Sequence, residues 1–425
     1  MINEDFLHYI WNFKLFNTLN LKTSNNETVQ IIKSGQHNTD AGPDFFNAQI
    51  KIDSTTWAGN VEIHIKSSDW DKHYHEKDAA YDNVIMHVVY ENDKSIKNSK
   101  GIFIPTLELK GIINEKLIEN YQELLSNKNW IPCSSGIKDV DPFTINNWLE
   151  RLVVERLEYK SSVIKDSLEL NKNNWEETFY QQLVKYFGLK VNAEPFLLLA
   201  KNTSLKIIEK HNNIFSIEAM LFGQAGFLQD DFEDVYFQKL KKEYEFFKSK
   251  FSLSPIDKSL WKFLRLRPPN FPTIRIAQLA SLLNNEPRLF SKILTINTVI
   301  EYRRLFKVQA SPYWTENYQF GKTSSKKVVK KTGGVLIDAL IINVVVPFLF
   351  VYGETISDEN IKNRAIMLLQ QLDSERNTII NNFRKIGVNS SNALMSQSLI
   401  ELKTNYCSQK KCLNCSIGNN LIKSI

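Results

Sequence analysis

Residues 60–91 read NVEIHIKSSDWDKHYHEKDAAYDNVIMHVVYE. Two apolar-rich runs, at 60–68 and 83–91, have the length and composition of strands, and the polar stretch from His73 to Tyr81 between them has room for a brief helix. The same rhythm extends outward. Runs at 29–35 (VQIIKSG), 45–53 (FFNAQIKID) and 101–109 (GIFIPTLEL) are rich in Val, Ile and Phe, with turn signals at Ser24–Glu27 and Thr55–Asn60. Ahead of them Phe6, Leu7, Ile10, Phe13 and Leu15 are spaced for an amphipathic helix. The order is helix, three strands, short helix, more strands, an α/β or α+β module over residues 1–115.

Beyond Ile112 the period becomes helical almost throughout, as in TINNWLERLVVERLEYKSSVIKDSLEL, where Asp141 before Pro142 marks a capped start. Further helices are predicted over 214–228, 231–250, 257–265, 273–284, 286–293, 297–307, 335–351, 358–371 and 375–386. The expected fold is therefore α+β: residues 1–115, a helical domain over 116–404, and a Cys-bearing tail over 405–425 packed on the body. Val335 to Gly353 approaches the length of a membrane span, but Asp338, Asn343 and Pro347 interrupt it, and it reads as a buried core helix. A composition 43% hydrophobic and 24% charged, with 26 Phe, 15 Tyr and 8 Trp, supports a sizeable core and excludes a disordered chain. Four cysteines are too few for a disulfide-held secreted fold, and the acidic start MINEDFLHYIW carries no export signal, so a cytoplasmic location without membrane is expected.

Charge is unevenly placed. Residues 1–100 hold ten Lys and fourteen Asp or Glu, a net of −4 against +6 for the chain, which leaves +10 on the remainder. Six of the seven histidines (His8, His37, His64, His73, His75, His87) lie in that acidic first hundred. A cation site beside an anion-binding surface fits this asymmetry, as does a plain solvated basic face.

The chemistry concentrates between Asp40 and Tyr90. On a strand alternate side chains share a face, so Glu62, His64 and Lys66 stand in a row about 7 Å apart, with Val61, Ile63 and Ile65 on the other face. With Asp44 on the adjacent strand, its carboxylate approaches Glu62, and two carboxylates held together repel unless a cation lies between them. Asp44, Glu62 and the Ile63 carbonyl are hard oxygen ligands suited to Mg²⁺ or Mn²⁺. Asp69 in Ser67-Ser68-Asp69-Trp70 reads as a helix-capping turn or an extra ligand. His73 and His75 read as surface histidines, an extension of the metal site, or with His64 a Zn²⁺ site of a different hydrolase. His87, inside an apolar strand, reads as a core histidine.

A helix, a strand, Pro43-Asp44 entering the next strand and Glu62-Ile63-His64 on the third resemble the core of the PD-(D/E)XK nuclease superfamily, a restriction-endonuclease-like αβββαβ arrangement. The resemblance implies that Asp44 and Glu62 bind metal, that Glu4 on the first helix is an accessory acid, and that His64 occupies the place of the Lys that activates water. Lys66, one step along the same face, is the other candidate base. The wider string GPDFFNAQI, WAGNVEIHIKSSDW and AYDNVIMHVVY, with RPPNFPTIRIAQLA, is similar to a bacterial family of unknown function across nearly the full chain.

Cys407-x4-Cys412-x2-Cys415 gathers three of the four cysteines, and Cys133 is the remaining candidate for a fourth ligand; such thiolates suit Zn²⁺ or a 4Fe–4S cluster. One cysteine far from a C-terminal trio resembles the cluster that staples nucleases of the Cas4 and AddB type. Two basic groups stand out: Lys326, Lys327, Lys330 and Lys331 in SSKKVVKKTGG, and Arg265, Arg267 and Arg275 around Pro268-Pro269-Asn270-Phe271-Pro272. They suit phosphates, with Tyr313, Trp314, Tyr318 and Phe320 as base-stacking surfaces. Together these features lead to a metal-dependent nuclease acting on DNA rather than RNA. The rival expectation is a non-catalytic nucleic-acid-binding or scaffold protein built on a degenerate nuclease core.

Overall fold

A computed structural model describes residues 2–211 and 213–424; Met1 and Ile425, the outer limits of the expected first and last segments, lie outside them. The protein is mixed α+β, with a β-sheet near the N-terminus and helices through most of the remainder. It divides into two compact units. One comprises Met1–Leu149, Asn382–Val388 and Ile400–Ile425; the other comprises Glu150–Asn381 and Asn389–Leu399.

The first unit opens with helix α1 (Glu4–Asn12), started by Asn3, whose Oδ1 accepts the Phe6 N–H, and favoured by Glu4 and Asp5 in its first turn. Its apolar face buries Phe6, Leu7, Ile10 and Trp11. Six strands follow: β1 (Val29–Lys33), β2 (Gln36–His37), β3 (Phe45–Ile52), β4 (Thr55–Lys66), β5 (Val84–Glu91) and β6 (Thr106–Glu108). The sheet order is β1-β3-β4-β5-β6, with β2 also on β3; β1, β3 and β4 pair antiparallel, and β4, β5 and β6 pair parallel. Where β4 enters the middle of the sheet, Val61, Glu62, Ile63 and His64 are all buried, so both faces are covered there. Gly59 permits this entry: a Cβ would sit 2.6 Å from the Asn83 carbonyl at the start of β5.

The crossover from β4 to β5 is made of α2 (Asp69–Lys72) and two single 3₁₀ turns, His75–Lys77 and Ala79–Tyr81. It has its own small core of Trp70, Tyr81, Val84, Ile96 and Ile104, and the Trp70 indole N–H donates to the Lys97 carbonyl at 3.0 Å. Helix α3 (Glu115–Ser126) stacks Tyr121 on Phe6, with ring centroids 4.4 Å apart.

The second unit packs helices around a continuous apolar core. The helix expected over 257–265 is a single turn, Lys258–Leu260, because Trp261 is pulled inward and donates its indole N–H to the Ala225 carbonyl at 2.8 Å. A small hairpin, Asn317–Gln319 with Lys322–Thr323, interrupts the helices. One helix, Gly334–Thr355, is long and apolar enough to cross a membrane, and most of its apolar window is buried inside the protein. Its interruptions have structural uses: Pro347 follows a π-helical segment, Ile341–Val345, and Asp338 pairs bidentately with Arg303 at 2.8 and 3.0 Å.

Glu218 is fully buried in the helix Ile214–Gln224 and accepts a hydrogen bond from the Tyr236 hydroxyl. Burial raises its carboxyl from 4.5 to about 7. The folded state therefore holds a proton that the unfolded chain has released, and stability falls as pH rises through that window, by roughly 3 kcal/mol at about 1.4 kcal/mol per unit. Glu218→Gln is expected to flatten this fall and to raise the urea midpoint of the second unit at pH above 7. A slope unchanged in the variant would contradict a neutral Glu218.

Candidate functional site

The centre of the first unit is a buried carboxylate. Glu62 lies on β4, with Asp44 just ahead of β3 and His87 opposite it on β5. Its Oε2 accepts the Asp44 backbone N–H at 3.1 Å, while Asp44 Oδ2 accepts the Ile63 N–H at 2.9 Å. This reciprocal pair holds the two carboxylates side by side. Burial pushes the Glu62 carboxyl above its ordinary range, against the pull of His75.

The free oxygen, Glu62 Oε1, faces histidines. It lies 3.3 Å from His75 Nε2 and 3.7 Å from His64 Nε2, and His64 Nε2 is 3.0 Å from His73 Nδ1. Among the described residues, His64, His73 and His75 are the one group of three or more His, Cys, Asp or Glu whose ligating atoms fall within 4.8 Å of one another. A tetrahedral ion bound at about 2.0–2.1 Å separates its ligands by about 3.3–3.4 Å, close to the spacings found here. The buried His75 Nε2 has no well-directed hydrogen bond, as expected of an atom positioned for a cation. Three imidazoles and one carboxylate form the donor set of a transition metal such as Zn²⁺; Mg²⁺ favours oxygen alone.

Local backbone geometry explains how residues two apart converge. Tyr74, between His73 and His75, has φ +61°, a left-handed conformation unfavourable for an aromatic residue, and it turns the chain between the two imidazoles. Tyr81 stacks on His75 with centroids 3.8 Å apart. His64 Nδ1 bonds His87 Nε2 at 2.8 Å, so His87 orients the ring that His64 presents. Burial, then the neighbouring imidazoles, lowers His64 to about 2, and burial takes His87 to about 3. Both are neutral at physiological pH, the form a metal requires.

Several expectations change. His64, expected as a base near pH 7, is instead buried against His87 and His73, and burial with the neighbouring imidazoles favours its neutral form. Lys66 is exposed at the end of β4, and its charge acts on Asp93 rather than joining Glu62 and His64. Asp69 serves a turn, accepting the Lys66 N–H at 3.0 Å and pairing with Lys72. Arg275 is buried, with its guanidinium on Gln278 and Asn270, and Lys330 is buried on the Thr315 and Val328 carbonyls; neither is free for phosphate. Trp314 and Phe320 are core residues. Arg265, Arg267, Lys326, Lys327 and Lys331 are exposed. Cys133, Cys407, Cys412 and Cys415 all belong to the first unit and are free thiols.

His8 joins the site without any sequence motif. Its Nε2 lies 3.2 Å from Asp44 Oδ2, and although burial depresses it, Asp44, Asp5 and Glu4 lift its pKa above the ordinary value. Glu4, one helical turn earlier, is half-buried; burial raises its carboxyl, and the charges of His73 and Asp44 act on it. The i, i+4 spacing of Glu4 and His8 on α1 was the available signal.

The chain belongs to a family described as a protein of unknown function (DUF2851), whose model matches residues 4–378. No curated protein and no solved structure matches it.

Titration of chelator-stripped protein with Zn²⁺ checks the donor set. His73→Ala, at an exposed position, is expected to lose one equivalent of tight zinc, and His87→Gln to weaken it by roughly 10–100-fold while keeping the stoichiometry. Unchanged binding in His73→Ala would remove His73 from the site.

Proposed function

We propose that this family member is a metal-dependent phosphodiesterase, a nuclease acting on DNA, whose cation is held by His64, His73, His75 and Glu62 next to Asp44. The observation that carries this reading is the convergence of three imidazole donor atoms beside the buried Glu62 carboxylate, with a second carboxylate anchored by the same strand. The likeness of Asp44, Glu62 and their strand order to the PD-(D/E)XK core supplies the reaction class. Histidine ligands make Zn²⁺ or Mn²⁺ better suited than Mg²⁺. The reading retains the cytoplasmic location expected from the sequence.

When bound, a divalent cation supplies Lewis acidity, making water a nucleophile near neutral pH and offsetting charge on the scissile phosphate. The residues of the chain do the remainder. Glu62 and the three imidazoles fix the cation, and His87 and Tyr81 fix the imidazoles. Asp44 holds His8 so that its raised pKa favours the imidazolium, which can hydrogen-bond a phosphate oxygen or return a proton to the departing oxygen. In this reading Glu4, whose carboxyl burial raises, accepts the proton that water loses. The exposed Lys326, Lys327, Lys331, Arg265 and Arg267 are the cations for the DNA backbone.

The test is cleavage of labelled single- and double-stranded DNA with Zn²⁺, Mn²⁺ or Mg²⁺. Glu62→Ala and His73→Ala are expected to cut at least roughly 100-fold more slowly, the loss of about 3 kcal/mol of transition-state stabilisation, while DNA affinity stays largely intact. Replacing Lys326, Lys327 and Lys331 together by Ala should instead weaken binding and reduce its salt slope by roughly three. Wild type that binds DNA but cuts no substrate with any cation would favour the scaffold alternative.

A further inference from the structure

The second unit holds a cavity of about 500 Å³, a size typical of small-molecule sites. Ser281, Asn285, Lys307, Gln309, Ser311 and Lys331 supply its polar lining, which includes no Asp or Glu among the described residues. One wall is a pair of extended segments. The Ala310 N–H donates to the Lys330 carbonyl at 3.0 Å and the Thr332 N–H to the Val308 carbonyl at 2.9 Å, with Gln309 opposite Lys331.

The other wall is the helix Pro272–Asn285, buried through most of its length. Arg275, Gln278, Ser281 and Asn285 are spaced three or four apart and share one of its faces. Polar groups on a buried helix need partners. Arg275 donates to Gln278 Oε1 at 2.8 Å and Asn270 Oδ1 at 2.6 Å, and Gln278 Nε2 donates to the Lys330 carbonyl at 3.2 Å. Ser281 differs: it is 5% exposed, and its hydroxyl has no hydrogen-bond partner among the described residues. A buried donor is thus left for whatever fills the cavity.

Charge points the same way. Lys307 and Lys331 line the cavity, exposed and without an ion pair among the described residues. Behind them Arg275 and Lys330 are buried on neutral oxygens alone, with Lys330 also 4.0 Å from the centre of the Tyr318 ring. Walls of one sign with little water focus their field on an anion. Ser311 leads through the Tyr236 hydroxyl, 3.3 Å away, to Glu218, the carboxyl that burial keeps protonated up to about 7.

We propose that this cavity binds an organic phosphate monoester, a nucleotide by class. Lys307, Lys331 and the Ser281 hydroxyl take the phosphate, Val308, Ala310 and Pro312 meet the body of the ligand, and the Asn285 and Gln309 amides are available to a base. The volume is far more than a lone phosphate fills. This site does not rest on the hydrolytic reading. Lys331 also stands among the cations proposed for the DNA backbone, so the test is made on Lys307.

The full chain, stripped of metal by chelator, is titrated calorimetrically with deoxyadenosine 5′-monophosphate, with deoxyadenosine and with inorganic phosphate. The nucleotide is expected to bind one per chain, inorganic phosphate to compete weakly and the nucleoside to give no heat. Lys307→Glu, at an exposed position, should weaken the nucleotide at least roughly 10-fold, while His73→Ala leaves it unchanged. Wild type that binds no nucleotide overturns the proposal, as does equal affinity in Lys307→Glu. Loss of binding in His73→Ala would place the ligand at the histidines instead, and binding confined to a 5′-phosphorylated oligonucleotide would replace the free nucleotide by a strand end. None of these readouts involves cleavage of DNA, so failure of that reading leaves them intact.

Discussion

A carboxylate buried on β4, between antiparallel β3 and parallel β5, constrains everything around it. Glu62 has almost no water, and an unpaired carboxylate there would cost several kcal/mol. Compensation comes from the Asp44 backbone N–H on one oxygen and from histidines on the other. The need for close partners explains the crowded crossover, the left-handed Tyr74 and the Trp70–Tyr81 core that backs the imidazoles. Neutral His64 supplies little positive charge, and in the proposed reading a cation completes the balance. Site and fold are thus parts of one electrostatic arrangement.

The strands and the acidic pair were legible because they rest on local periodicity. Alternation at 60–68 and 83–91 marks β4 and β5, and Glu62 stands out as an acid in an apolar run. The crossover was legible as a short polar stretch, but its α-helix, Asp69–Lys72, lies ahead of the expected His73–Tyr81, which holds two 3₁₀ turns. The grouping of His64, His73 and His75 was one of three readings the sequence offered and was not singled out, because it depends on one backbone torsion at Tyr74, a residue with no preference for a left-handed conformation. His8 escaped notice because its partner, Asp44, lies 36 residues away on another element. Basic residues misled in a different way: Arg275 and Lys330 read like their exposed neighbours, and only tertiary packing distinguishes a cation that satisfies buried carbonyls from one that meets solvent. At 257–265 tertiary demand on Trp261 overrode helical spacing.

Both units bury polar groups and manage the cost differently. In the first unit imidazoles and carboxylates face one another around a potential cation. In the second, Glu218 is kept neutral and bonded to a phenol, while Asp338 escapes burial by pairing with Arg303 at the edge of an otherwise apolar helix. The contrast separates a site from a core. In the first arrangement the buried His75 Nε2, beside the Glu62 carboxylate, has no directed hydrogen-bond partner.

The first unit is assembled from segments at both ends of the sequence, with the residues of the second unit inserted between them. On the ribosome, synthesis proceeds from the N-terminus, so the sheet emerges long before Asn382–Val388 and the segment after Ile400 exist. Its closing contacts, such as Lys403 to Trp130, have very high contact order and form last. Until then the Cys133 turn and α3 expose apolar surface that the tail will cover. A chain halted anywhere in the second unit therefore carries an unfinished first unit, which makes the nascent protein a natural client for chaperones and leaves truncated copies open to proteolysis.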